Sequence, residues 1–129
     1  MRIPGLILGA KDAGIAWRST SSPGVAWFLV AAEGGPHAGA RAGATVLIRM
    51  EPGCGYAAHR HLDVEEVWIL AGGYRDERGE YLQGEYVRYE PQSHHHPIAL
   101  GDANQPVSET NPACLLLASA RGGTEVLEA

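Results

Sequence analysis

Five of the six histidines in this 129-residue chain fall into two clusters. His59 and His61 stand one residue apart in "GCGYAAHRHLDVEEVWILAGG" (53–73), and Glu65 and Glu66 follow closely. His94, His95 and His96 come later, in "SHHHP" (93–97). Residues two apart on a strand share a face, so His59 and His61 would present two imidazoles to the same side. Two converging imidazoles can chelate a first-row metal, and imidazole suits Zn, Cu, Fe and Ni. A third ligand must come from elsewhere. Strand parity, carried through the bend "LDV", places Glu65 on the face of His59 and His61 and turns Glu66 away. In the second cluster either His95 faces inward or His94 and His96 do, and parity leaves both open. An H-x-H pair alone also occurs among ordinary surface and core histidines, so the second cluster strengthens the metal reading. His37, alone in a Gly-rich loop, reads as a solvated surface residue.

The elements that must position these residues are short. Buried-strand candidates are "GVAWFLVAA" (24–32), "ATVLIRM" (44–50), "YAAHRH" (56–61), "EEVWILAG" (65–72) and "ACLLLASA" (113–120). The first four carry β-branched or aromatic residues, and turn residues bound the runs. "YRDERGEYLQG" (74–84) reads as a hairpin turning near Asp76–Gly79. "EYVRYE" (85–90) alternates, and "PQSHHHPIAL" (91–100) opens with a turn and returns to strand. "GGPHAGARAG" (34–43) and "GDANQPVSETNP" (101–112) read as loops. No run sustains a three-to-four spacing over three turns, so no long helix is expected. Eight or more short strands joined by turns predict an all-β sandwich or barrel in one domain, and a small barrel encloses one pocket.

Composition narrows the function classes. Seventeen glycines and eight prolines suit many turns, and the formal charge of −5 with no basic block argues against a nucleic-acid partner. No apolar run approaches the roughly 20 residues of a membrane helix, and the N-terminal apolar run is broken by Pro4, Gly5 and Gly9, so no secretion signal is expected. A cytoplasmic location is the default expectation. Cys54 and Cys114 do not form a C-x-x-C pair and are expected to be free thiols. There is no Ser/His/Asp constellation, phosphate loop or dinucleotide fingerprint.

Several residues near the clusters have simpler readings. Most of Tyr56, Tyr74, Tyr81, Tyr86 and Tyr89 are expected to pack within strands, with some lining a pocket. Trp68, one off the parity of Glu65, is expected on the outer face. Arg49 and Arg88 read as exposed strand residues, and Cys54 as a turn residue.

"GCGYAAHRHLDVEEVWILAG" resembles the first cupin motif, G-x5-H-x-H-x3-E-x6-G, with Gly53, His59, His61, Glu65 and Gly72 on its fixed positions. "GEYVRYEPQSHH" resembles the second, G-x5-P-x-G-x2-H, with Gly84 and His95 at its ends. Glu90 and Gln92 stand where that motif has Pro and Gly, which predicts a differently shaped turn before His95. The run from His59 to Pro97 looks especially like the ChrR-type cupins, whose signature joins a "DE-G-Y-G" hairpin to a "PGS-H-P" turn. The resemblance covers about 42–100, the metal-bearing half of a cupin barrel.

The resemblance implies a cupin jelly-roll β-barrel over 1–129, with strands within 1–41 completing it. It implies a divalent metal held by His59, His61, Glu65 and His95, with Fe²⁺ preferred and Zn²⁺, Mn²⁺ or Ni²⁺ as alternatives. Single-domain relatives of this type resemble dioxygenases that cleave β-diketones or hydroxyaryl ketones, with Glu65 as a candidate proton acceptor. A non-redox isomerase or lyase, or a zinc cupin that senses a small molecule, would use the same ligands. ChrR anti-sigma factors carry a separate sigma-binding domain, for which 129 residues leave no room, so a complete anti-sigma factor is not expected. The expected partners are a small-molecule substrate and a second copy of the chain, with Trp68 and Leu70 among the contacts; no nucleic acid or membrane is expected.

Overall fold

The computed structural model describes residues 2–3, 6–7, 15–32 and 43–127. Within them the chain forms β1 (Arg2–Ile3), β2 (Leu6–Ile7), β3 (Arg18–Ser19), β4 (Val25–Ala32), β5 (Ala44–Met50), β6 (His59–His61) and β7 (Glu65–Ala71). It continues with β8 (Gly73–Asp76), β9 (Gly79–Leu82), β10 (Tyr86–Tyr89), β11 (His94–His95), β12 (Ile98–Ala99), β13 (Cys114–Ala120) and β14 (Thr124–Val126). There is no helix among the described residues, as expected. Of the expected loop at 34–43, residues 34–42, His37 among them, lie outside the described residues.

A six-stranded sheet in the order β10-β7-β13-β5-β4-β3 forms one wall. Two three-stranded sheets, β11-β6-β14 and β12-β8-β9, supply the other side, and β1 pairs with β2. All strand pairs are antiparallel. The described residues form an all-β jelly roll, as expected.

Alternation along β7 shows how the sequence builds the wall. Glu65, Val67 and Ile69 are buried, whereas Trp68 between them is 37% exposed and packs against Tyr86 on the outer face, 5.3 Å between ring centroids. Val67 and Ile69 join Val25, Met50, Tyr74, Tyr89, Leu116 and Ala118 in one core cluster. Each fully buried side chain of the Val or Ile kind contributes about 1.5–3 kcal/mol. Gly72 ends β7 at φ 64°, and a Cβ there would lie 2.6 Å from the Ala113 carbonyl. Only glycine meets both conditions, which explains the fixed glycine at this position.

Two elements around the histidines differ from the expected ones. The strand over 56–61 shortens to His59–His61, because the Ala57 carbonyl is engaged by the His59 ring. β14 was not expected; it is three residues long, preceded by Gly122 and Gly123 in left-handed conformation, and too short to show a pattern. It matters because Thr124 pairs with His61 and Val126 with His59. The hairpin forms as expected, Asp76 pairing with Gly79 across the turn Glu77–Arg78.

Candidate metal centre

Four side chains converge inside the barrel. His59 and His61 come from β6, Glu65 from the start of β7 and His95 from β11, which pairs with β6 so that His95 lies directly opposite His59. All four are buried, His61 completely. One ligand atom from each lies within 4.8 Å of all the others. His59 Nε2 and His95 Nε2 are 3.0 Å apart, and His61 Nε2 is 3.5 Å from Glu65 Oε1. Parity therefore placed Glu65 correctly, and the open choice in the second cluster resolves to His95, with His94 and His96 exposed. Glu66 points away and accepts a hydrogen bond from the Tyr86 hydroxyl at 2.8 Å.

The far side of each imidazole is tied down by an acceptor that fixes its tautomer. His59 Nδ1–H donates to the Ala57 carbonyl at 2.9 Å. His61 Nδ1–H donates to Ser93 Oγ at 3.0 Å, since that hydroxyl spends its own proton on the Glu90 carbonyl at 2.6 Å. His95 Nδ1–H donates to Asp76 Oδ2 at 3.0 Å. All three Nε2 atoms are thus left as lone pairs facing the same space. His61 Nε2 is the one buried side-chain polar atom without a hydrogen-bond partner among the described residues. Lone pairs 3.0 Å apart repel unless a cation lies between them. At metal–nitrogen distances of about 2.1 Å, neighbouring ligands at a right angle would stand about 3.0 Å apart. The donor set fits a divalent ion.

Charge and burial agree with this. Burial lowers the pKa of His59, and burial together with the neighbouring His59 lowers that of His95 to about 4, so both rings are neutral at neutral pH. Burial opposes the charge on Asp76, but hydrogen bonds from Tyr89, the Arg78 N–H, His95 and Tyr81 outweigh it and hold its carboxyl below the usual range. Tyr89 stacks on His61 with ring centroids 4.8 Å apart and an interplanar angle of 27°.

The centre opens onto a cavity of about 360 Å³ between the large sheet and the smaller ones. Val25, Trp27, Ile48, Met50, Val67 and Leu116 are among the apolar residues of its wall, and His59, Glu65 and His95 reach its surface. Tyr56 and Tyr74 line it too, so two of the five tyrosines face the pocket. No arginine or lysine lines it among the described residues. Arg49 and Arg88 lie elsewhere, paired with Glu51 at 3.7 Å and Glu90 at 2.9 Å. Cys54 and Cys114 are free thiols.

Sequence reasoning missed the residues behind the ligands: Asp76, Ser93 and the Ala57 carbonyl. Asp76 and Tyr81 belong to the "DE-G-Y-G" signature and Ser93 to the following turn, but each reads from sequence as part of a turn. Glu77 of the same signature accepts the His96 backbone N–H at 3.0 Å and clamps the hairpin to the ligand segment. The altered turn also has its explanation. Gln92, standing where the motif has glycine, takes φ 70° and is the one non-glycine residue with positive φ among the described residues. The Gln92 N–H donates to the His61 carbonyl at 2.7 Å and fixes the turn against β6.

The family model of the ChrR Cupin-like domain matches residues 9–107. No curated protein matches the sequence. Among solved structures, the anti-sigma ChrR of Rhodobacter sphaeroides, in complex with SigE, is similar at TM-score 0.61 and 22% identity, over 87% of this chain and 50% of that one. This chain therefore spans about half of that relative. An RmlC-like cupin from Ralstonia eutropha aligns at TM-score 0.68 and 16% identity, over 99% of this chain and 77% of that one. An acetylacetone dioxygenase from Acinetobacter johnsonii aligns at TM-score 0.66 and 12% identity, over 95% and 76%. At these identities the likeness establishes the fold.

Proposed function

The chain belongs to the ChrR cupin-like family, and from that premise we propose that it is a metal-dependent dioxygenase that cleaves a small, uncharged, enolisable ketone, such as a β-diketone or hydroxyaryl ketone. The observation that carries the reading is the wall of His59, Glu65 and His95 set into an apolar cavity free of cationic side chains among the described residues. Such a pocket favours a neutral apolar molecule and offers no arginine or lysine to a carboxylate or phosphate. The likeness to an acetylacetone dioxygenase supports the same class.

His59, His61, Glu65 and His95 would hold the ion. A redox-capable divalent metal, Fe²⁺ first, would supply Lewis acidity toward the substrate oxygens and a meeting point for O₂. The protein's own groups do the rest. Glu65, at the cavity wall, is the carboxylate placed to take the acidic α-proton that enolisation releases. Burial and the nearby Glu65 raise the pKa of Tyr56, so its hydroxyl stays protonated and can donate to a substrate oxygen. Trp27, Met50 and Leu116 keep water from the reacting atoms.

The test is oxygen uptake by the Fe²⁺-loaded chain with acetylacetone and 2-hydroxyacetophenone, beside a Zn²⁺-loaded sample. Uptake that requires iron and a ketone supports the proposal. Iron-loaded protein that consumes no oxygen with any member of either class would sink it. The likeness to ChrR favours a second reading, a metal-holding module that binds a small molecule and reports to a protein partner. That reading predicts zinc as the native metal, no oxygen uptake, and ligand-dependent quenching of Trp27 fluorescence.

A further inference from the structure

Behind His95 lies a buried carboxylate that neither ligand motif contains. Asp76 ends β8, and its side chain has no solvent exposure. Both of its oxygens are fully used. Oδ1 accepts the Arg78 N–H at 2.8 Å and the Tyr81 hydroxyl at 3.1 Å. Oδ2 accepts the Tyr89 hydroxyl at 2.7 Å and His95 Nδ1–H at 3.0 Å. A carboxylate offers about four acceptor positions, and all are met by donors, leaving no place for a proton of its own. The Tyr74 hydroxyl donates to the Tyr89 oxygen at 2.5 Å, so the donor to Oδ2 is itself held in place. Among the described residues the ion-pair partner of Asp76 is His95, and no arginine or lysine side chain reaches it. An anion is thus buried beside a ligand, with no protein cation to balance it.

We infer that Asp76 is a positioning residue that completes the metal centre: its charge, added to that of Glu65, balances a divalent ion, and its bond to Nδ1 aims His95 Nε2 at that ion. Three neutral imidazoles and one carboxylate leave a divalent ion with one uncompensated positive charge in a low-dielectric interior. Asp76 cancels it through the His95 ring, and the ion in turn supplies a positive charge beside a carboxylate that has only hydrogen-bond donors around it. Metal and carboxylate therefore stabilise each other. The inference rests on the metal-binding reading of the four ligands and is independent of the reaction performed.

The experiment titrates the metal-free chain with Co²⁺ and Zn²⁺ against a competing chelator, for wild type and Asp76→Asn. Asparagine keeps the shape and one carbonyl acceptor but removes the charge. The expected result is metal binding weakened about 10- to 100-fold and a shifted Co²⁺ absorption band. The metal-free variant should melt below wild type, because the asparagine NH2 faces donors that the carboxylate accepted, so affinities are compared at a temperature where both proteins are folded. A residue that serves packing alone would lower the melting temperature but leave the metal affinity and the Co²⁺ band of the folded variant unchanged. Equal metal affinity in the two proteins overturns the inference. Tyr81→Phe keeps it testable if Asp76→Asn does not fold. Losing one neutral hydroxyl should change affinity by no more than about threefold, and a tenfold loss would assign the effect to the hydroxyl network and overturn the role of charge. A wild-type chain that takes up neither metal removes the ligand reading itself, and the inference with it.

Discussion

His59 and His95 are direct cross-strand partners whose Nε2 atoms stand 3.0 Å apart, each ring with its Nδ1 proton committed elsewhere. This pairing ties the metal centre to strand register. A one-residue slip of β11 against β6 would carry His95 to the outer face and bring His94 or His96 inward, beyond the reach of Asp76. Replacing either histidine with alanine removes a ligand without touching the register. His59→Ala and His95→Ala should each reduce metal content from about one ion per chain to near zero. Elemental analysis of untagged protein checks this, and full occupancy in either variant would contradict the ligand assignment.

The adjacent glutamates should behave differently. Glu65 is buried with its carboxylate near His61, whereas Glu66 is half-buried on the opposite face and bonded to Tyr86. Glu65→Gln should weaken metal binding by at least about tenfold, and Glu66→Gln should leave it unchanged. Competition titration with Zn²⁺ measures both, and equal losses in the two variants would refute the placement.

The metal-free protein should lose stability in mild acid. The folded state holds His95 at a pKa of about 4, through burial and the neighbouring His59, against 6.5 for an unperturbed histidine. Between those values the unfolded chain binds the proton that the folded chain refuses, so stability falls as pH drops. Above pH 6.5 His95 is neutral in both states and makes no difference. Over the whole interval the loss is about 3 kcal/mol from this residue, and His59, lowered in the same direction, adds to it. Denaturant melts of metal-free protein from pH 7.5 to pH 4 should show this slope, and a flat profile across that range would count against neutral buried histidines.

Gln92 offers a stabilising substitution beside the site. It holds φ 70° where the cupin motif has glycine. A left-handed conformation costs a side-chain-bearing residue about 1–2 kcal/mol, and the added freedom of glycine in the unfolded chain offsets part of this. Gln92→Gly should therefore gain about 0.5 kcal/mol, near 2 °C in Tm, with metal content unchanged. Calorimetry decides it; a fall in Tm would mean that the Gln92 side chain contributes more than its backbone costs.

Much of this protein could be read directly from its residues. The buried odd positions of "HRHLDVEEVWIL" identify His59, His61 and Glu65 because side chains alternate along a strand, a local property that needs no knowledge of the fold. The same alternation puts Trp68 outside. The hairpin at Asp76–Gly79 was legible because turn chemistry is carried by adjacent residues. For three consecutive histidines, alternation says only that the middle one opposes its neighbours; family resemblance selected His95, and its pairing with His59 shows why.

What only the tertiary structure decided is everything that depends on contact between distant segments. Asp76 is a turn residue until the hairpin folds over β11 and brings its carboxylate 3.0 Å from His95. Ser93 is a turn residue until its hydroxyl meets the His61 ring. β14 is too short to announce itself and exists because β6 offers it a free edge. Three of the four converging side chains could be named from sequence because their spacing follows the period of a strand. Their supports could not, because a hydrogen bond between residues far apart in the chain leaves no periodic trace along it.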